Sequence, residues 1–156
     1  MKSNIRFWLA GVAVAGALAL GACGGTTTKP AGGGSTLSVG TDGENLAYAP
    51  VTLAAATGSD VTVTFKNNST AQQHNWVLVK GGDDVAQKVD DEGANAGDTA
   101  GYVPAGSPDV IAAGKILVAG GSETITFKAP APGTYTFLCT YPAHYAGGMK
   151  GVLTVK

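Results

Sequence analysis

Near the C-terminus an alternating segment, Thr134-Tyr135-Thr136-Phe137-Leu138-Cys139, runs into residues 140–149, which carry no charge, and then into a second strand-like stretch, Gly151–Lys156. The period of two puts Tyr135, Phe137 and Cys139 on one face. With that face toward the core, the thiol points inward at the end of its strand. A loop of this length can return His144 and Met149 over the sulfur. The chain is therefore constrained to two strands joined by a long loop at one end of a sheet. Only one other histidine exists, His74. It must come from a different strand, so a site using both histidines spans the sheet end.

Taken singly, each of these residues has an ordinary role: methionine as core filler, histidine as a hydrogen-bonded side chain, cysteine as a small buried hydrophobe. Their joint placement points elsewhere. A thiolate, a thioether and two imidazoles form a soft donor set that favours copper and suits both its oxidation states. Zinc would accept the cysteine and the histidines but rarely a methionine. A rigid scaffold holding such a set need change little between cuprous and cupric forms, which is the physical requirement for rapid electron transfer.

The chain has 156 residues, 44% of them hydrophobic, enough for one domain with a core. From Leu37 onward it is strand-like. Val61–Lys66 alternates and ends at the turn signal Asn67-Asn68-Ser69. Asn75–Lys80, Glu123–Lys128, Thr134–Cys139 and Gly151–Lys156 read as further strands separated by glycine and proline. Short strands at this spacing predict an all-β antiparallel sandwich or barrel. Asp83–Glu92 departs from the pattern. An N-cap aspartate, Val85 and Val89 on one face and Gly93 as a stop predict one short external helix. Its acidic residues lack calcium-loop spacing and read as a solvated face. Residues 94–114 read as an irregular crossover.

The first 22 residues look like a lipoprotein signal peptide, with Lys2 and Arg6 ahead of an uncharged apolar stretch ending Leu20-Gly21-Ala22-Cys23. Cys23 is the expected lipidation site. Retention of the leader as an anchor is the alternative, although the stretch is short for a bilayer span. Residues 23–36 then form the attachment cysteine and a flexible tether, and 37–156 the copper domain. Export to the periplasmic face of the cytoplasmic membrane follows. A lipidated Cys23 leaves Cys139, the only other cysteine, unpaired, and metal ligation explains a lone exported thiol. Without Lys2 and Arg6 the chain keeps 8 basic and 11 acidic side chains, a net charge of −3. That is too mild and dispersed for a nucleic-acid surface.

Gln73-His74-Asn75-Trp76-Val77-Leu78 and Cys139-Thr140-Tyr141-Pro142-Ala143-His144, followed by Met149, resemble the two ligand segments of the azurin and auracyanin branch of the cupredoxins. The C-x4-H-x4-M spacing is most similar to the auracyanin members, and the resemblance covers residues 36–156. It implies a cupredoxin-like Greek-key sandwich of about eight strands holding one type 1 copper. His74, Cys139 and His144 would be the equatorial ligands and Met149 a weak axial one. Asn75 would tie the first ligand segment to the cysteine loop through Thr140. Azurin has a glycine, whose carbonyl approaches the copper, where this chain has Gln73. That departure implies a four-coordinate centre.

The uncharged ligand loop implies a small apolar docking patch at the His144 edge, built from Pro142, Ala143 and Tyr145. Redox partners use contacts of under about 1,200 Å². By resemblance the expected role is a monomeric, membrane-tethered, non-enzymatic electron carrier. Its partners would be a quinol-oxidising complex or cytochrome and a photosynthetic reaction centre or oxidase. A multicopper enzyme needs further histidines that this chain lacks. A copper storage or delivery protein is the alternative, but such proteins expose Met- or His-rich sites, and Met1 and Met149 are the only methionines.

Overall fold

A computed structural model describes residues 33–156. The expected leader, Cys23 and most of the tether lie outside the described residues. Among the described residues there are nine strands: β1 (Ser35–Thr41), β2 (Tyr48–Ala49), β3 (Thr52–Ala55), β4 (Asp60–Lys66), β5 (Val77–Val79), β6 (Val110–Ala113), β7 (Ser122–Lys128), β8 (Gly133–Leu138) and β9 (Lys150–Val155). They form a four-stranded sheet, β2-β1-β4-β7, and a five-stranded sheet, β3-β9-β8-β5-β6. β1 pairs parallel with β4 and β3 parallel with β9, while the other pairs are antiparallel. The expected all-β sandwich with one helix is what forms, but the β1–β4 and β3–β9 pairs depart from the antiparallel arrangement expected of it. β1 starts at Ser35, so the last two residues assigned to the tether belong to the sheet.

The alternation read in β4 has its physical meaning here. Val61, Val63 and Phe65 are fully buried while Asp60 and Lys66 stay exposed. Each such side chain contributes about 1.5–3 kcal/mol by leaving water. Between the sheets, Trp76 and Tyr48 both pack on Phe137, with ring centroids at 5.7 and 5.2 Å. Phe65 closes on Tyr48 at 6.0 Å.

β5 and the end of β8 are buried on both faces. Leu78 and Phe137 enter the inter-sheet core, whereas Val77, Val79 and Leu138 join a second cluster with Ala86 and Val89. That second cluster lies under the helix, α1 (Asp83–Ala96), which covers the outer face of the five-stranded sheet.

Four expectations are corrected. Gly93 does not stop the helix, which continues to Ala96 and ends at Gly97, a residue at φ 75°. Gly93 is instead buried in the helix, where a Cβ would fall against the Tyr102 carbonyl oxygen. The N-cap is Gly82 rather than Asp83, which sits in the first turn and bonds Lys150 Nζ at 2.5 Å. The crossover at 94–114 contains a 3-10 turn at Asp98–Ala100 and the strand β6, because pairing with β5 orders Val110–Ala113. The strand expected over Asn75–Lys80 shrinks to Val77–Val79. His74 before it makes only an isolated bridge to Leu117.

Candidate metal centre

Two ends of neighbouring strands build the site. His74 and Asn75 precede β5, and Cys139 follows β8, its antiparallel partner. The pairing Val77↔Leu138 brings residues 65 apart in sequence into contact. His74 is held by reciprocal backbone bonds with Leu117, at 3.2 Å from its N–H and 2.8 Å to its C=O. The 140–149 loop folds into consecutive turns: His144 N bonds Tyr141 O at 3.0 Å, Gly147 N bonds Ala143 O at 2.9 Å, and Met149 N bonds His144 O at 3.0 Å. Cys139 N then bonds Met149 O at 3.2 Å and closes the loop. Ala143 occupies the left-handed region at φ 68°, a conformation most side chains avoid.

Three donors converge. Cys139 Sγ lies 3.9 Å from His74 Nδ1 and 3.5 Å from His144 Nδ1, and the two Nδ1 atoms are 3.1 Å apart. Metal bonds of about 2.0–2.1 Å to nitrogen and about 2.3 Å to sulfur put the donors of one ion about 3–4 Å apart, which is the spacing found. His74, Cys139 and Met149 are wholly buried, and His144 keeps only 7% exposure. Met149 packs in the same core cluster as Cys139. The residues present therefore fit a single small soft ion.

Burial sets the electrostatics. Desolvation pushes His74 down to about 4, assisted by the neighbouring His144, whose own value desolvation also lowers. Both rings are thus neutral and ready to donate lone pairs at neutral pH. Burial raises the Cys139 thiol to about 11. An entering cation must displace that proton. His74 Nε2 is buried without a partner. With Nδ1 aimed at the sulfur, the ring is placed as a ligand and not as part of a hydrogen-bond network.

Asn75 carries the tie expected of it. Its Nδ2 donates to Thr140 Oγ1 at 2.8 Å, and its Oδ1 accepts from Thr140 N at 2.9 Å. Tyr48 was not indicated by the sequence. Its hydroxyl donates to the Asn75 carbonyl at 2.6 Å and so braces the first ligand segment from β2. No local pattern pointed to it, since it lies 27 residues away and matters only through tertiary contact.

Tyr145 is the correction at this site. Expected on the docking patch, it is 9% exposed and packs under α1 with Val77, Val79 and Leu138. Its hydroxyl donates to Asp83 O at 3.2 Å, at the start of the helix that covers the ring. Pro142 and Ala143 are exposed beside the His144 edge.

Residues 35–156 match the family model described as copper binding proteins, plastocyanin/azurin family. Auracyanin-A of Chloroflexus aurantiacus is 43% identical over 165 residues, spanning 100% of both chains. The crystal structure of dithionite-reduced auracyanin from Roseiflexus castenholzii is 64% identical, with a TM-score of 0.76 over 78% of this chain and 97% of that one. The structure of auracyanin A from Chloroflexus aurantiacus, titled a "blue" copper protein, is 43% identical, with a TM-score of 0.76 over 80% of this chain and 100% of that one.

Proposed function

The chain belongs to the plastocyanin/azurin family of copper-binding proteins, and from that premise we propose that it is a membrane-tethered carrier passing single electrons between larger redox complexes. It is a blue-copper electron-transfer protein similar to the auracyanins, and not an enzyme. The observation that carries the reading is the convergence of two histidine Nδ1 atoms and a cysteine sulfur in a closed core, with Met149 packed beside them.

In this reading His74, Cys139 and His144 would hold the ion, with Met149 supplying a further, weaker thioether donor. Bound copper supplies one-electron chemistry, cycling between cupric and cuprous states. The protein's part is to keep the donors still. The Asn75–Thr140 pair, the Leu117 bridge and the loop turns fix His74, Cys139 and His144 within the fold, so little would rearrange when charge changes. Burial excludes water from the donors. His144 alone retains an exposed edge, so it is the route by which electrons enter and leave, with Pro142 and Ala143 forming the apolar rim against a partner.

The donor would be a quinol-oxidising complex or cytochrome, and the acceptor a photosynthetic reaction centre or oxidase. Cys23, lipidated after removal of residues 1–22, would hold the domain at the periplasmic face of the membrane, where it would act as a monomer. A storage or delivery role is disfavoured by the burial of the site, the one such donor cluster among the described residues. Copper loading followed by visible spectroscopy and potentiometric titration tests the reading. An intense blue band that bleaches reversibly with one electron supports it, and a colourless or irreversible adduct overturns it. Mass spectrometry of the native N-terminus tests the anchor.

A further inference from the structure

The loop between β1 and β2, Asp42–Ala47, crosses the copper end of the molecule without offering a ligand. Two neighbouring contacts link this stretch to both ligand segments. Leu46 Cδ1 fills the space that a Cβ on Gly147 would need, and Tyr48, just beyond, bonds Asn75. Glu44 makes a third link that is more extensive than either. Its carboxylate accepts hydrogen bonds from Ser69 Oγ at 2.7 Å, Thr70 N at 2.5 Å and Thr70 Oγ1 at 3.0 Å. Its main-chain carbonyl accepts from Gln72 Nε2 at 3.0 Å. Ser69 Oγ in turn accepts from the N–H groups of Ala71 and Gln72, at 3.1 and 2.7 Å. The network reaches to within two residues of His74.

These bonds also keep the group charged. The Thr70 backbone N–H and then the Ser69 hydroxyl hold the Glu44 carboxyl below its ordinary value, so it is an anion at neutral pH. Among the described residues no lysine pairs with it. Its hydrogen-bond partners Thr70 and Gln72 stand four and two residues before His74, so the charge sits on the approach to that ring.

We propose that Glu44 is a positioning residue for the first ligand segment and that its negative charge biases the centre toward the cupric state. This rests on the copper-carrier reading. When the centre takes one electron from its donor, the site loses one positive charge while Glu44 keeps its charge and its proton count. A fixed anion stabilises the more positive partner of that pair, so it lowers the reduction potential. A merely structural clamp would have no such sign.

The test uses the full copper-loaded chain and compares wild type with Glu44→Gln, Glu44→Asp and Thr70→Val. Blue absorption is recorded first, because its absence from wild type would sink the carrier reading itself. At a fixed solution potential and low salt, the cuprous-to-cupric ratio of Glu44→Gln should rise about three- to tenfold, a tenfold change being about 59 mV for one electron. The difference should shrink as added salt screens the charge. Glu44→Asp and Thr70→Val keep the anion and should stay near wild type. A blue Glu44→Gln protein with the wild-type ratio at low salt would overturn the proposal. So would a Thr70→Val shift as large as that of Glu44→Gln, because geometry would then be responsible rather than charge.

Discussion

Asn75 and Thr140, 65 positions apart, exchange two hydrogen bonds of 2.8 and 2.9 Å, both wholly buried and each beside a metal-ligating residue. The pair makes the spacing of the donors a property of the apo fold, with no dependence on the ion. Replacing Asn75 with Ala strands the Thr140 N–H in the core, and an orphaned buried donor costs about 1–3 kcal/mol. Chemical denaturation of the copper-free protein should show a loss in that range, and bound copper should dissociate faster. An unchanged midpoint would mean that the two segments are held by something else.

Copper uptake should release about one proton per ion near neutral pH. The proton comes from Cys139, whose thiol burial holds at about 11, and not from the histidines, which are already neutral. Calorimetry in buffers of different ionisation enthalpy reads the number directly. A value near zero would mean that the thiol is ionised before metal arrives.

The copper-free fold should weaken in acid. His74 titrates at about 4 when folded, below the ordinary value near 6.5 that it regains on unfolding. The unfolded chain therefore takes up the proton first. The stability contributed by a neutral His74 is complete above about pH 6.5 and is lost as pH falls through about 4. His144 is displaced the same way and adds to the trend. Denaturation midpoints of apo protein between pH 7 and 4 test this, and a flat profile would contradict it.

Tyr145→Lys should unfold the loop rather than merely impair docking. A flexible lysine stem does not replace the ring packed among Val77, Val79, Ala86 and Leu138, and destabilisation of about 2 kcal/mol or more is expected. Tyr145→Phe loses only the bond to Asp83 and should cost about 0.5–1.5 kcal/mol. Docking is better probed by Pro142→Lys on the exposed rim, which should slow electron transfer to a partner while leaving the blue band in place.

Gly93→Ala should destabilise, although an isolated helix would gain about 1 kcal/mol from that change. The new methyl meets the Tyr102 carbonyl, and overpacking typically costs about 1–3 kcal/mol. Thermal melts decide the sign. A stabilised variant would show that the 97–103 segment yields easily.

Much of the site was legible in the chain because its signals are local. Cys139, His144 and Met149 lie on one short segment, and the alternation through Thr134–Cys139 fixes which way the sulfur points. Asn75 directly follows a histidine, so its role travelled with the ligand motif. Residues whose roles depart from their local signals share a different property. Gly93 looks like a helix stop from composition alone, and only the Tyr102 carbonyl packed against it explains a glycine inside α1. Tyr145 looks like a surface aromatic until α1 is laid over the sheet. Val110–Ala113 becomes a strand because β5 offers it an edge.

Donor chemistry, the strand-to-loop-to-strand frame and the orientation of the thiol were determined by the sequence by itself, because each depends on residue type and a period of two. Tertiary structure alone decided that Tyr48 braces Asn75, that Glu44 clamps the approach to His74 and that Tyr145 turns inward. Those contacts join residues 25 to 62 positions apart, and no local periodicity encodes which distant surfaces will meet when the two sheets and the helix close over one another.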